Sequence, residues 1–581
     1  MPSPFSFTAT SFGTLNVSDG VENLSPQVNR AGSCTLSRAT NVRFTEKGGV
    51  GNRSGFTQLV DMATSAKVDD CTTLKKFDVT FWKSGTKIHV ATKAQLDLGL
   101  SYDIGLTRTA TEKDYLFPHD SDVFATNETD DFTRIAVSKA TLVILDTDVT
   151  ITVDDIGQFA SGGGTVYING DSIAYTGVAG SNLTGVTGIA TGGHAVNSII
   201  TQTSAPSGAP KGYCMGELEG SALVGKGSVL HASLPSSDQN PEFFYDFVLA
   251  NGATAKRLQG DITCIKTGLR VSMIGMLDAI DVSTGFEPNT GALITVPLTR
   301  VHGVPNNRCI VEFDNKFAVL TNEGRVLLAA DGLNGFELID NPNTKQNFDY
   351  PVSKYIRDNK DQEDNSQNFV HYNPASKLLK ATILMKSGLT QDFVCQTEIG
   401  AWSIDDSKNI RCRTNVQGAE YAGDDSDDKI HRDEYGTTDN GTPIISTITT
   451  GKLRLGVSGN TGDYLSLVFG GTLTANGVFK QRIIYNDVID ENQIMAEDMV
   501  ELGQMSLSSG VSLGEGEMGA EVMGGEGDQT EVFSFNRPTE IMFDSESVQL
   551  EWEISDEGGR MELRYFTLGG ETEGISLINA S

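Results

Sequence analysis

Apolar and polar residues alternate strictly from 548 to 554, so Val548, Leu550, Trp552 and Ile554 share one face of a strand. After Asp556-Glu557-Gly558-Gly559 the alternation resumes at Met561, Leu563 and Tyr565, which predicts an antiparallel hairpin with one buried face and an acidic outward face. The same pattern recurs along the chain. Residues 166–175 form a hairpin centred on Asn169-Gly170, a pair suited to the two positive-φ positions of a type I′ turn. Residues 221–231 turn on Gly225 and Gly227, and 309–320 on Asp314-Asn315, with a further strand at 325–329. Segments 377–385 and 393–404 repeat the theme. Helical periodicity is scarce, its best stretch being the short run 493–502. The expected class is all-β and multi-domain, with propeller-like meandering sheets, a small β insert and a C-terminal acidic β domain.

Composition along the chain suggests the boundaries. Residues 1–60 read as an N-terminal platform segment and 61–155 as a first β region. Residues 156–205 read as the small insert, opened by Ser161-Gly162-Gly163-Gly164 and followed by a Ser/Pro linker at 204–210. Residues 206–455 are the propeller-like domain and 456–581 the acidic domain. The polar run 357–367 and the acidic run 423–434 are expected to be exposed loops.

Charge changes the picture. The formal net charge is −32, the wrong sign for a surface that grips duplex phosphates. Residues 487–581 hold 22 Asp and Glu against Arg537, Arg560 and Arg564, so more than half of the excess sits in the last sixth of the chain. No window approaches about 18 consecutive apolar residues, and the first 20 residues carry neither a basic n-region nor an apolar h-region, so no secretory signal is expected. The cysteines (Cys34, Cys71, Cys214, Cys264, Cys309, Cys395, Cys412) are odd in number and widely spaced. They read as small, mostly buried side chains of a protein made in a reducing cytosol.

Matches to catalytic patterns are contradicted by their neighbours. Gly510-Val511-Ser512-Leu513-Gly514 has the spacing of a nucleophile elbow, but an anionic, glycine-rich stretch follows where a helix is needed. Gly514, Gly516 and Gly519 fit GxGxxG, yet Glu515 and Glu517 would repel a pyrophosphate. The run Asp424-Asp425-Ser426-Asp427-Asp428 lacks the glycine and glutamate of an EF-hand loop, since Lys429 and Tyr435 stand there, leaving at most a weak surface cation site. The seven histidines are isolated from one another and from the cysteines. The expectation is a non-enzyme with no catalytic residues, cofactor or metal.

Four segments resemble the tail nozzle or tail hub proteins of short-tailed bacteriophages, also called tail tubular protein B. The first runs from Leu24 and Pro26 through Asn41-Val42-Arg43-Phe44 and Gly48-Gly49 to Arg53-Ser54-Gly55-Phe56. The second joins Leu223, Gly225 and Leu230 to Ser233-Leu234-Pro235 and Pro241-Glu242-Phe243-Phe244. The third pairs Phe317, Leu320 and Gly324 with Gly400-Ala401-Trp402-Ser403, and the fourth is Thr438-Asp439-Asn440-Gly441-Thr442-Pro443. In the insert, Tyr175, Gly177, Leu183, Gly185 and His194 are similar to a small β module of phage tail and fibre proteins, with Gly188-Ile189 in place of its usual arginine-glycine pair.

The resemblance implies a structural virion protein of the tail, assembled in the host cytoplasm. It implies a homohexameric ring that meets a head-tail adaptor, tail fibres or tailspikes and the host envelope, and through which genomic DNA passes without sticking. An acidic wall suits such a passage, because carboxylates repel phosphates within the ~8 Å Debye length. Glu515, Glu517, Glu521, Glu526 and Asp528 are the acids expected to face that channel. The alternative is a host-attachment or glycan-binding or glycan-degrading tail protein.

Overall fold

The computed structural model describes residues 33–45 and 49–450, apart from 111–112, 158, 207, 238–243, 333–334, 340–347 and 407, together with strand segments at 3–15 and between 453 and 572. The chain is all-β and multi-domain, built of many separate sheets. Among the described residues the α-helices are Lys93–Asp97 and Tyr350–Asn359.

Seven four-stranded antiparallel units share one plan. Their first, inner strands are Val68–Leu74, Tyr115–His119, Cys214–Leu218, Ile262–Gly268, Ile310–Phe313, Phe369–Asn373 and Ile410–Val416. Each inner strand turns back into its neighbour through left-handed residues: Asp78, Asp120, Glu219, Leu269 and Arg270, Asp314 and Asn315, Lys377, and Gln417. Positive φ is needed because the twist of a tight hairpin matches that of the strands it joins. Each inner strand lies against the next, and the seventh lies against the first, so the seven converge in a cycle. The seventh sheet takes its fourth strand from far upstream: Phe56–Asp61 pairs antiparallel with Lys429–Asp433. The strand pattern predicts meandering antiparallel sheets over 206–455; the cycle begins upstream of that, its first two units lying within 68–204.

The second sheet carries the insert. Its third strand, Thr133–Lys139, pairs with Ile199–Ser204, and the intervening residues leave the sheet. The hairpin Gly164–Ile168/Asp171–Tyr175 adds onto Ile199–Ser204, and Asn169 and Gly170 both have positive φ, as its turn requires. Ile144, Ile151, Val166, Ile173, Tyr175 and Leu183 form a core separate from that of the ring.

The two ends of the chain meet. Ser33–Thr40 pairs with Ile445–Thr450, which pairs with Ser547–Asp556, which pairs in turn with Gly477–Asn486. A second sheet joins Val50–Asn52, Met561–Thr572, Gly462–Leu473 and Glu531–Pro538, with Ser3–Ala9 on Met561–Thr572. Leu550, Trp552, Ile554 and Leu563 are buried in one core with Val42, Trp402 and Ile448.

Three expectations are corrected. Segments 548–554 and 561–565 are strands, but they do not pair with each other. Ser547–Asp556 and Met561–Thr572 diverge into different sheets, where strands about 70 and about 100 residues upstream supply longer ladders. Their outward acids are not simply solvated either: Glu551 is buried against Arg482 at 2.7 Å, and Glu553 meets Lys480 at 3.0 Å. The helical candidate at 493–502 holds the strands Ile494–Ala496 and Val500–Met505, which pair with Gly477–Asn486. The acidic run 423–434 is the hairpin between the second and third strands of the seventh sheet, and Asp428, Asp433 and His431 within it are buried.

Candidate functional site

The inner strands surround a cavity of about 1390 Å³. At the end where these strands begin, Arg308 crosses it. Its guanidinium donates to the Arg411 carbonyl at 2.7 Å and to the Asp69 carbonyl, and its Nε lies 3.1 Å from Asp70. Asp70 also accepts from the Leu116 amide at 2.8 Å. One side chain therefore links the fifth, seventh and first sheets, and Asp70 extends the link to the second. Burial pushes the Asp70 carboxyl up, and Arg308 with the Leu116 and Cys71 amides reverses this only in part. Beside this brace, burial and the neighbouring Arg308 and Arg411 push the Lys113 ammonium down to about 7.

The opposite end is the mouth, ringed by the left-handed turns. Lys266 projects here, its ammonium lowered by burial, with Glu312 the nearby carboxylate that partly opposes the shift. Burial likewise lowers the His371 imidazole, whose Nε2 lies 3.2 Å from Asn415 Oδ1. Tyr372 donates to Asp314 at 2.9 Å, and Thr73 Oγ1 meets Thr414 Oγ1 at 2.6 Å. The lining offers amine, imidazole, amide and hydroxyl groups that can hydrogen-bond a polar molecule of modest size. Arg308 spans the floor of the cavity.

A second cluster, which borders the cavity at Arg413, lies where the sixth and seventh sheets meet both flanking segments of the chain. Arg413 contacts Asp392, Glu420 (3.2 Å) and Asp433 (3.1 Å). Lys380 reaches Glu420 (2.9 Å), Asp433 (2.8 Å) and Glu434 (2.9 Å), and Lys408 reaches Asp433 at 2.8 Å. Arg43 grips Asp405 with both nitrogens, at 2.8 and 2.7 Å, and also contacts Glu434. Arg53 forks onto Asp439 and stands 3.8 Å from Asp405. Five cations thus hold six carboxylates, of which Asp392, Asp405, Glu420 and Asp433 are buried. Although burial works against their charge, Lys380, Lys408 and Arg413 hold the Asp433 carboxyl well below its ordinary range, and Arg43 and Lys380 hold Glu434 down at about 2. Asn41 completes the junction: its amide group donates to Ile445 O at 2.9 Å and accepts from Arg53 Nε at 3.1 Å.

This junction gathers three of the segments singled out by resemblance: 41–56, 400–404 and 438–443. Asn41 N donates to Ile404 O, and Trp402 Nε1 donates to Phe348 O at 2.9 Å. Gly55 packs so tightly on Thr438 that a Cβ there would collide with its backbone. Sequence reading missed the charged cluster itself. The available signal was that Arg43, Arg53 and Asp439 each sit inside a quoted motif.

Of the acids expected to face a channel, Glu515, Glu526 and Asp528 lie outside the described residues. Glu517 falls on a short ribbon in which Ser512 pairs with it, so the elbow-like and GxGxxG-like matches meet as two strands. Glu521 pairs with Val532. In the Asp424–Asp428 run the carboxylates have separate protein partners: His431 for Asp424, Arg411 for Asp425, Lys429 for Asp427, and the Thr64 and Ser65 amides for Asp428. Cys214, Cys264, Cys309, Cys395 and Cys412 are buried and Cys71 is half-buried.

No protein-family model matches the chain, and no curated protein does. Among solved structures, the computationally designed Ika8 protein is similar at 10% identity over 65% of this chain and 99% of that one, with a TM-score of 0.34. A likeness this loose carries no argument about fold or function.

Proposed function

We propose that the chain is the nozzle, or hub, protein of a short phage tail, a structural rather than enzymatic component that conducts DNA during ejection. In this reading the cycle of seven sheets is a seven-bladed propeller carried to the side of the tail axis. The sheets built from both chain ends form the wall of the axial passage. The observation that carries the reading is the union of the N-terminal strands with the acidic C-terminal segment in common sheets. In this reading that union sets the carboxylates of the C-terminal segment on a folded wall that joins the ring through its sixth sheet, beside a cavity that Arg308 obstructs. A wall of that sign repels phosphates and releases no counterions to a passing duplex.

Six copies then close around the axis, docked to a head-tail adaptor and to fibres or tailspikes in the virion. Glu515, Glu517, Glu521, Glu526 and Asp528 face the passage. Mass measurement and negative-stain electron microscopy of the purified full chain test this: sixfold rings with an open bore support it, and monomers that cleave polysaccharide overturn it. The polar cavity mouth favours a second reading, a glycan-binding tail protein. Saturable binding of a host-surface oligosaccharide, lost in Lys266→Met, would favour it over the nozzle.

A further inference from the structure

We propose that Cys71 and Cys412 form a disulfide across the seam where the ring of sheets closes, once the protein meets an oxidising environment. The seam joins the inner strand Val68–Leu74 of the first sheet to Ile410–Val416 of the seventh, segments that lie 341 residues apart in sequence but side by side in space. Its register is fixed by Thr73 and Thr414, whose hydroxyl oxygens are 2.6 Å apart. Two residues earlier on each strand, on the same face by the period of the pleat, stand Cys71 and Cys412. Both belong to one apolar cluster with Val68, Trp82 and Tyr421.

Two other thiols, one on an inner strand and one beside an inner strand, are differently engaged. Cys264 gives its S–H to the Asn307 carbonyl at 3.4 Å and Cys309 to the Asn368 carbonyl at 3.3 Å, each reaching the next sheet. Cys412 has only the Val68 carbonyl, at 4.0 Å. Access also singles out this pair: Cys71 is the one described cysteine that is not fully buried, and it lines the cavity. A small oxidant entering by the mouth reaches its sulfur. Burial holds the Cys71 thiol above its ordinary value, so the reaction is slow, as suits a bond that forms after assembly rather than during synthesis.

With hydrogen peroxide as oxidant the chemistry balances. The Cys71 sulfur attacks the O–O bond, giving a sulfenic acid and one water. The Cys412 sulfur then displaces the sulfenic hydroxyl, forming the S–S bond and a second water. The two thiol protons end in those waters, and peroxide is reduced by two electrons. The bond would close covalently a ring already held shut by the Phe56–Asp61 strand and the Arg308 brace, and would restrain the unfolded chain across a long loop.

The test treats the full chain with hydrogen peroxide, alkylates it with iodoacetamide in denaturant and maps peptides without reduction. The expected result is a peptide linking Cys71 to Cys412 that dithiothreitol removes, with a thermal midpoint that rises on oxidation and returns on reduction. Cys71→Ser should lose both the link and the rise. Exhaustive oxidation that leaves both cysteines fully alkylated, converts them separately to sulfonic acids, or links either to another cysteine overturns the proposal. The peptide map of the unsubstituted chain decides the matter even if the variant folds poorly.

Discussion

Two seams of the ring solve one packing problem in opposite ways. Between the third and fourth sheets the contact is apolar: Cys214, Leu218, Ile262, Ile265 and Ile274 interlock, and Gly216 lets Ile265 come against the backbone. Between the sixth and seventh sheets the equivalent space is filled by Lys380, Arg413, Asp392, Glu420 and Asp433. An apolar seam needs nothing from the rest of the chain. The ionic seam takes its remaining cations, Arg43 and Arg53, from upstream, and Arg53 is held in turn by Asp439 from downstream. Replacing such a network by apolar side chains can be neutral in stability, whereas removing one member is costly. The difference teaches that the ionic seam specifies where the flanking segments dock.

The largest effect that would separate the two seams is acid. The Asp433 and Glu434 carboxyls titrate below their unfolded values. The stability they confer is complete above about pH 4.5 and is lost as pH falls toward about 2, because the unfolded chain binds more protons in that window. Circular dichroism with intrinsic fluorescence across pH 5 to pH 2 should show the sixth–seventh junction and its flanking strands released first. The apolar seam, with no carboxyl in its core, should persist longer.

Next in size, Arg413→Met leaves Asp392, Glu420 and Asp433 short of a cation and should cost about 3–5 kcal/mol in urea unfolding. Ile265→Ala at the apolar seam should cost about 2–5 kcal/mol without changing the acid midpoint. Gly55→Ala pushes a methyl into the Thr438 backbone and should cost about 1–3 kcal/mol, with increased proteolysis near 53–58. The smallest effect is expected from Thr414→Val, which strands the Thr73 hydroxyl and should cost about 0.5–1.5 kcal/mol.

The contrast also explains what the sequence made legible. Local alternation and turn chemistry were enough for the strands and for hairpins such as Asn169-Gly170 and Asp314-Asn315, because both act within ten residues. Pairing was not legible where partners are distant. Ser547–Asp556 and Met561–Thr572 looked like one hairpin but are claimed by strands of two different sheets. The run 423–434 looked like a solvated loop because its acids outnumber its cations locally. Its cations, Arg43, Lys380, Lys408, Arg411 and Arg413, come from elsewhere. Likewise, five cysteines read as scattered apolar residues stand on or beside inner strands of five different sheets, an arrangement visible only once the sheets are in a cycle.

The most direct test of the proposed nozzle is a cryo-electron microscopy map of the assembled chain with DNA in transit. It should place six seven-sheet units around an open axial bore walled by the sheets of the two chain ends, with DNA density on the axis and none inside the Arg308-braced cavities. A solid centre, a bore lined by lysines, or a chain that remains single beside DNA would contradict it.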